Sequence, residues 1–440
     1  MTTPTLERNP DAVTGAPAKP FVGQRLMSVD ALRGFDMFWI VGADALVNAL
    51  HRMTPNPVTT LVADQLEHVE WAGFHFYDLI FPLFVFIVGV SIVFSLGKSI
   101  EQHGRGEAVK RIFRRTTLLF AIAILYSGGF TDPWPNMRLL GVLNRIALCY
   151  CFASLIFCFF KPRAMIAICA GLLLGYWAAM TFVPIRDIQL DSANLARVAA
   201  QKGDAQSAAL FKEGINFSIV RNSPAWAAAE KLFYGTTTRT TGKYEKGYNL
   251  SNHFDFQYLP GKKWEIYADP EGILSTVPAI ATCLLGVFAG LLLKNQKIGD
   301  LAKVKYLLIA GVSALILGLL WSFQFPVVKK IWTSSFVLVA GGWSAILLGT
   351  FYLVIDVWKK QSWCLPFVWI GMNSITIYLA SNLIGGFRKV AARFVGGDIR
   401  HFFDTHVAKG LGDLIVALAG LALAFWFVRF LYRRKIFLRL

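Results

Sequence analysis

The chain has 440 residues, 55% of them hydrophobic and 16% charged, with a formal charge of +17. So apolar a composition excludes an ordinary soluble domain. Its stretches of about 20 apolar residues match a hydrocarbon core of roughly 30 Å when helical, and without strands of alternating polarity a chain crosses the bilayer as helices rather than as a barrel.

The expected fold class is therefore all-α, a polytopic membrane protein. Residues 1–24 are polar, rich in Pro, Ala and Thr, and lack the apolar core of a signal peptide, so they are expected to form a disordered cytoplasmic tail. Apolar spans are expected near 29–50, 76–97, 116–130, 141–160, 164–184, 273–293, 304–323, 334–357, 364–386 and 411–432, about ten in all. This divides the chain into spans 1–5 within 25–184, an extracytoplasmic lobe at 185–272, and spans 6–10 within 273–440.

Charge gives the orientation. One set of connections carries Lys98, Arg105, Lys110, Arg111, Arg114, Arg115, Lys161, Arg163, Lys294, Lys297, Lys303, Lys305, Lys359 and Lys360, together with the basic C-terminus. That is the positive-inside pattern, with both termini cytoplasmic. It explains most of the net charge, so no nucleic acid is needed as a partner. Arg388, Lys389, Arg393 and Arg400 run against it.

The lobe combines a helix-like run, "DSANLARVAAQKGDAQSAALFKEG", with turn chemistry in "YGTTTRTTGKYEKGYN". At its end, "ADPEGILSTVPAI" predicts a helix with Asp269 as N-cap, Pro270 at the first position and Glu271 in the first turn. Both acids also stand where a site mouth would lie. The six cysteines (Cys149, Cys151, Cys158, Cys169, Cys283, Cys364) fall in or beside apolar spans and read as packing residues rather than metal ligands.

A charge inside a span usually faces a polar cavity or a partner. The first span holds Asp30, Arg33, Asp36 and Asp44. Asp30 and Arg33 are spaced to pair on one face. Asp44 lies roughly 21 Å further along the axis, at 1.5 Å per residue. It stands level with His68 and with Arg145, to which an ion pair is one reading of Asp44. Asn373 sits mid-span, where an unpaired amide is costly, and Asn382 lies nearer the outer end.

The segments "RLMSVDALRGFDMFWI", "HVEWAGFHFYDLIFPLFVFIVGVSI", "GVLNRIALCY", "DPEGILSTVPAIATCLLGVFAG", "WTSSFVLVAGGWS" and "IGMNSITIY" together resemble the heparan-α-glucosaminide N-acetyltransferase family, its bacterial branch in particular. The resemblance runs from Arg25 onward. It implies transfer of an acetyl group from cytosolic acetyl-CoA to the amine of a glucosamine-type sugar across the membrane. It also implies a multi-pass protein of a bacterial inner membrane, in contact with lipid, acting as a homodimer and without a metal. The family's catalytic histidine, in a His-x-x-Trp context before an Asp-Leu-hydrophobic-Phe-Pro run, corresponds to His68, with Trp71 and "DLIFP" from Asp78. An asparagine used by the lysosomal member corresponds to Asp44, a departure from the family pattern. On this reading His68 and Asp44 are catalytic, and Trp71, Asp78, Asp269 and Glu271 face the acceptor. Arg33, Arg145, Asn373 and Asn382 face the CoA.

The chemistry suits an imidazole. An acceptor amine must lose a proton to attack a thioester, and a side chain with an unperturbed pKa of about 6.5 can take it. Asp44 is expected to hold the ring tautomer, as the third member of a catalytic triad does. Direct transfer and an acetyl-histidine intermediate both remain open, as does the acceptor sugar. An amino-sugar carrier is the competing class, though no internal repeat of the kind carriers show is visible.

Overall fold

The computed structural model describes residues 26–212, 223–265 and 267–438, so the tail expected at 1–24 lies outside the described residues. Among the described residues, seven helices are long and apolar enough to cross a membrane, and a bent pair makes an eighth span. These are Phe76–Tyr126, Val142–Phe159, Pro162–Phe182, Ile273–Lys294, Asp300–Ser322, Ser334–Val357 and Leu411–Arg433, with Ser362–Met372 and Ser374–Leu383 as the pair. The molecule is an all-α, multi-pass membrane protein.

The ten apolar stretches map onto these elements once three irregularities are recognised. The 51-residue helix Phe76–Tyr126 carries two stretches and is broken at Gly104, whose φ of 78° and ψ of 172° suit a residue without a Cβ. Its two ends meet at one face: the Tyr126 ring stacks on Tyr378 at 4.8 Å, and Tyr378 lines the same cavity as Tyr77. The first stretch is Met27–Phe38 and Asp44–Met53, joined by a wide turn over Trp39–Ala43 in which Gly42 has φ 139°. The third irregularity is a 65° bend at Asn373. Non-helical backbone at membrane depth is tolerated where it is buried in protein or lines a cavity, and both breaks in the first and ninth stretches lie beside cavities.

Contacts sort the connections into two ends. At one, Lys294 pairs with Glu101 at 2.9 Å, and the Ser28 amide donates to Asp356 at 3.1 Å. At the other, Asp413 receives Arg400 at 3.0 Å, Arg52 at 3.5 Å and Arg388 at 3.7 Å. Arg388 and Arg400, which run against the charge pattern, are thus fixed at the same end as Arg52 by a shared carboxylate.

The stretch 185–272 builds a small core of its own. Leu195, Ala199, Phe211, Trp226, Phe233 and Phe256 pack between the short helices Ser192–Gln201, Ala205–Lys212, Pro224–Tyr234 and Leu250–Tyr258. Two-residue strands pair Ile185 with Thr240 and Tyr244 with Asn249, both antiparallel. His253 is buried in this lobe with its Nε2 donating to the Ile188 carbonyl at 3.1 Å. The indole N–H of Trp71 donates to the Tyr244 carbonyl at 2.9 Å and ties the lobe to the bundle.

The helix after the lobe begins later than its sequence suggests. It runs Ile273–Lys294 with Gly272, not Asp269, as N-cap. Arg138 takes the Asp269 carboxylate at 2.7 and 2.8 Å, and Asp269 also closes its own turn on the Glu271 amide at 3.1 Å. The first helical amide is capped from another element instead, by Asp255 at 2.9 Å to Ile273.

Candidate active site

His68 stands on the connection just before Phe76–Tyr126, and the helix start fixes its partner. His75 is the N-cap residue, and Asp78 is the third helical position. Asp78 Oδ2 accepts from the His75 amide at 3.1 Å and the Val69 amide at 3.3 Å. Its Oδ1 is thereby aimed at His68 Nδ1, 2.9 Å away. Asp78 is 2% exposed at its side chain and His68 51%, so a buried carboxylate orients a ring that a substrate can reach. With Nδ1–H donating to Asp78, Nε2 keeps its lone pair. The ring packs against Tyr77 at 4.8 Å.

The orienting carboxylate is therefore Asp78 and not Asp44, which corrects the sequence expectation. Asp78 was read as facing the acceptor; it faces the histidine. Among the described residues Asp44 makes no hydrogen bond or ion pair to His68 or to Arg145; the cation whose charge reaches it is Arg388. Gly42 and the wide turn at Trp39–Ala43 rotate Asp44 out of the straight-helix register on which the sequence placement relied. Trp71 holds the lobe rather than facing the site, and His75 caps a helix while its ring meets the Glu67 carbonyl at 3.0 Å.

Lys329 completes the cluster. Its Nζ lies 3.0 Å from His68 Nδ1, 3.2 Å from Nε2 and 3.4 Å from Asp78 Oδ1. The connection carrying it is sewn to the histidine's own: the Gly73 amide donates to Val327 at 2.9 Å, and Ala72 bridges Val328. Burial pulls the Lys329 ammonium below the usual lysine value, against the opposing charge of Asp78.

Two cavities lie end to end behind this cluster. The first, of about 240 Å³, is lined by His68, Tyr77, Glu271, Lys329 and Tyr378 with apolar side chains between them. The second, of about 350 Å³, is lined by Arg33, Ser91, Ser95, Arg111, Arg115, Tyr150 and Asn373. Phe84, Leu143, Ile146, Ser374 and Ile375 border both. From Asp78 to Ser95 the helix advances roughly 25 Å at 1.5 Å per residue, so the pair reaches most of the way across the bundle. The bend at Asn373 supplies the wall common to both.

The second cavity is built to hold something polar. Arg33 is fixed by Asp30 at 3.3 Å and by Ser91 at 2.6 Å. It also donates to the Gly371 carbonyl at 3.4 Å, where a Cβ on Gly34 or Gly371 would strike the facing backbone. Arg115 sits over the Tyr150 ring at 4.5 Å, with its Nε buried and lacking a hydrogen-bond partner among the described residues. Asn373 donates to Trp369 at 3.1 Å while its Oδ1 is likewise unpartnered. Of the four residues expected to face CoA, Arg33 and Asn373 line this cavity. Arg145 and Asn382 line neither. Arg145 is fully buried, donating to Gly272 at 3.3 Å and to Ser275 and lying over Trp332 at 4.9 Å. Asn382 donates to the Tyr126 carbonyl at 3.0 Å.

Glu271 lines the histidine cavity and is bound by Arg138 at 2.9 Å. Burial raises it above the usual glutamate range, with Asp269 adding and Arg145 and Arg138 opposing. Asp269 stays behind it as the main anchor of Arg138. Sequence reasoning missed Lys329, and it read the cytoplasmic basic residues, Arg111 and Arg115 among them, chiefly as topology charges, with phosphate binding as the lesser reading. The adjacent lysines of "PVVKKIW" in a short connection were the available signal for the first.

Residues 25–200 match the family model described as heparan-alpha-glucosaminide N-acetyltransferase, catalytic. That range holds His68, Asp78 and the three arginines of the second cavity. Heparan-alpha-glucosaminide N-acetyltransferase of Mus musculus is 27% identical over 336 residues, covering 72% of this chain and 49% of the relative. Its Homo sapiens counterpart is 27% identical over 401 residues, covering 84% and 55%. The chain spans about half the length of the curated relatives it matches. Matched over residues 25–200 and aligned with these relatives over most of its length, the chain is similar to the heparan-α-glucosaminide N-acetyltransferases.

Proposed function

We propose that this protein is a membrane N-acetyltransferase that accepts acetyl-CoA at the Arg33 end of the bundle and a glucosamine-type amine at the His68 end. The carrying observation is the pair of adjoining cavities, with three arginines at one extreme and an oriented imidazole at the other. Arginine suits phosphate because its planar donors match phosphate oxygens. Arg33, Arg111 and Arg115 would hold the phosphates, and Asn373 Oδ1 an amide N–H of the pantetheine arm. The bound thioester would supply an electrophilic acetyl carbon near His68.

His68 Nε2 takes the proton of the attacking amine, while Asp78 keeps Nδ1 protonated and stabilises the imidazolium. This is the division of labour of a histidine–aspartate pair in acyl transfer. The relatives' printed names support a glucosamine-type acceptor. The basic residues at the Arg33 end, including Arg105, Arg111 and Arg114, support a cytoplasmic CoA mouth in a bacterial inner membrane.

Purified protein in liposomes tests the reading. Acetyl-CoA on the arginine side and glucosamine on the other should give N-acetylglucosamine on the sugar side and one CoA thiol per product. Passage of unmodified sugar without consumption of acetyl-CoA would instead make the protein a carrier. Parallel rather than intersecting double-reciprocal plots would place the acetyl group on His68 itself.

A further inference from the structure

The attack on the thioester leaves a thiolate that still lacks a proton. We infer that Lys329 is a further catalytic residue, the acid that protonates the departing sulfur and then recovers its proton from His68. The inference rests on the acetyl-transfer reading above. Lys329 opens onto the same cavity as His68, and its Nζ stands 3.2 Å from the nitrogen that receives the amine proton. The two carboxylates at hand are engaged. Asp78 accepts from His68 with one oxygen and from two amides with the other, and Glu271 accepts from Arg138. The neighbouring Lys330 is held away by Glu265 at 3.0 Å. Burial loosens the hold of Lys329 on its proton, and the charge of Asp78 opposes that.

The step balances. The amine nitrogen forms a bond to the acetyl carbon, and its proton passes to His68 Nε2. The C–S bond breaks with its electron pair on sulfur. Lys329 Nζ gives one proton to that sulfur, producing the thiol. The imidazolium then returns its proton across the short gap to the neutral lysine amine. Amine and thioester become amide and thiol, and both side chains finish as they began. Lysine fits the task because its compact ammonium has three rotatable donors and releases a proton when buried, which a guanidinium does not.

The test compares Lys329→Met and Lys329→Arg with the wild type on two donors, acetyl-CoA and an acetyl thioester of 4-nitrothiophenol. The second thiol leaves readily without protonation. Both variants should lose roughly 10²-fold or more in kcat with acetyl-CoA, the scale of general acid catalysis, and less than about fivefold with the aryl thioester. Equilibrium binding of acetyl-CoA, measured by calorimetry, should stay within about threefold of wild type. Restoration of acetyl-CoA turnover by Lys329→Arg would show that charge alone suffices and would overturn the inference. Equal losses on both donors, or a binding loss that tracks the rate, would make Lys329 a structural residue and also overturn it. A wild type inactive with acetyl-CoA and every amine would sink the acetyl-transfer reading itself, a result distinguishable from the others.

Discussion

The carboxylate of Asp78 meets His68 Nδ1 at 2.9 Å, and its second oxygen is held by the amides of Val69 and His75. The bond thus joins the loop that carries the histidine to the first turn of the helix that follows it. Replacing Asp78 with Asn should leave the shape of that turn and cost roughly 10²–10⁴-fold in kcat, because an amide neither fixes the tautomer nor stabilises the imidazolium. Asp44→Asn should stay within a few-fold of wild type. Steady-state kinetics on both variants decide between the two carboxylates, and an inverted order would return the orienting role to Asp44.

Arg111 lies on the exposed side of its helix and yet lines the second cavity. Its removal should not disturb packing. A charged hydrogen bond contributes about 1.5–3 kcal/mol. Arg111→Ala and Arg115→Ala should therefore each weaken acetyl-CoA binding roughly 10- to 100-fold while changing the affinity for dephosphorylated pantetheine thioesters little. Binding isotherms for the two ligands measure the difference, and equal losses on both would remove the arginines from the phosphate site.

Arg138 holds two nearly buried carboxylates, those of Asp269 and Glu271. Burial alone would lower its pKa, but the hydrogen bonds and charge of Asp269 outweigh that and raise it. Arg138→Met should cost about 3–5 kcal/mol, the usual penalty for stranding a buried charge. A lowered thermal midpoint, partly rescued by the double change Arg138→Met with Asp269→Asn, is the expected pattern. An unchanged midpoint would mean that the carboxylates find other partners.

His253 gives the lobe a pH dependence. Burial depresses its pKa from 6.5 to about 4, so between those values the unfolded chain binds more protons than the folded one. Stability from this residue is full above pH about 6.5 and is lost as pH falls toward 4, by on the order of 3 kcal/mol. Asp255 acts in the opposite sense: burial raises its pKa from 3.8 to about 7, so its contribution is full at acid pH and fades as pH rises through 7. With the Asp255 contribution common to both proteins, tryptophan fluorescence during unfolding should show His253→Gln gaining stability relative to the wild type as pH falls from 6.5 toward 4. Identical profiles would exclude His253 as the source.

What was legible in the sequence followed physical strength of signal. Span positions are written in about 20-residue apolar blocks, and the charge bias of their connections is a bulk property that survives local irregularity. His68 was legible because its context, His-x-x-Trp before "DLIFP", is contiguous. The carboxylate that serves it was misassigned because Asp44 was placed by counting along an ideal helix, which fails when Gly42 and a wide turn intervene. Lys329 was invisible because it reaches His68 across 261 residues of chain, through backbone pairing that leaves no side-chain signature. Arg111 and Arg115 were seen but read chiefly as topology signals, since flanking cations serve that purpose in any membrane protein. The helix start at Ile273 was misplaced because its cap, Asp255, comes from another element.

Phe84, Leu143, Ile146 and Ile375, the four apolar residues bordering both cavities, form a collar midway along the passage. A membrane that stores energy as an ion gradient tolerates no standing water column through one of its proteins. Narrow apolar constrictions empty of water and so block ions. A slender flexible chain can thread such a ring while a hydrated proton cannot, so the acyl transfer proposed above would proceed without discharging the membrane. Leu143→Asn should wet the collar. Proteoliposomes carrying that variant should then dissipate an imposed pH gradient faster than those with the wild type, and equal decay rates would place the seal elsewhere.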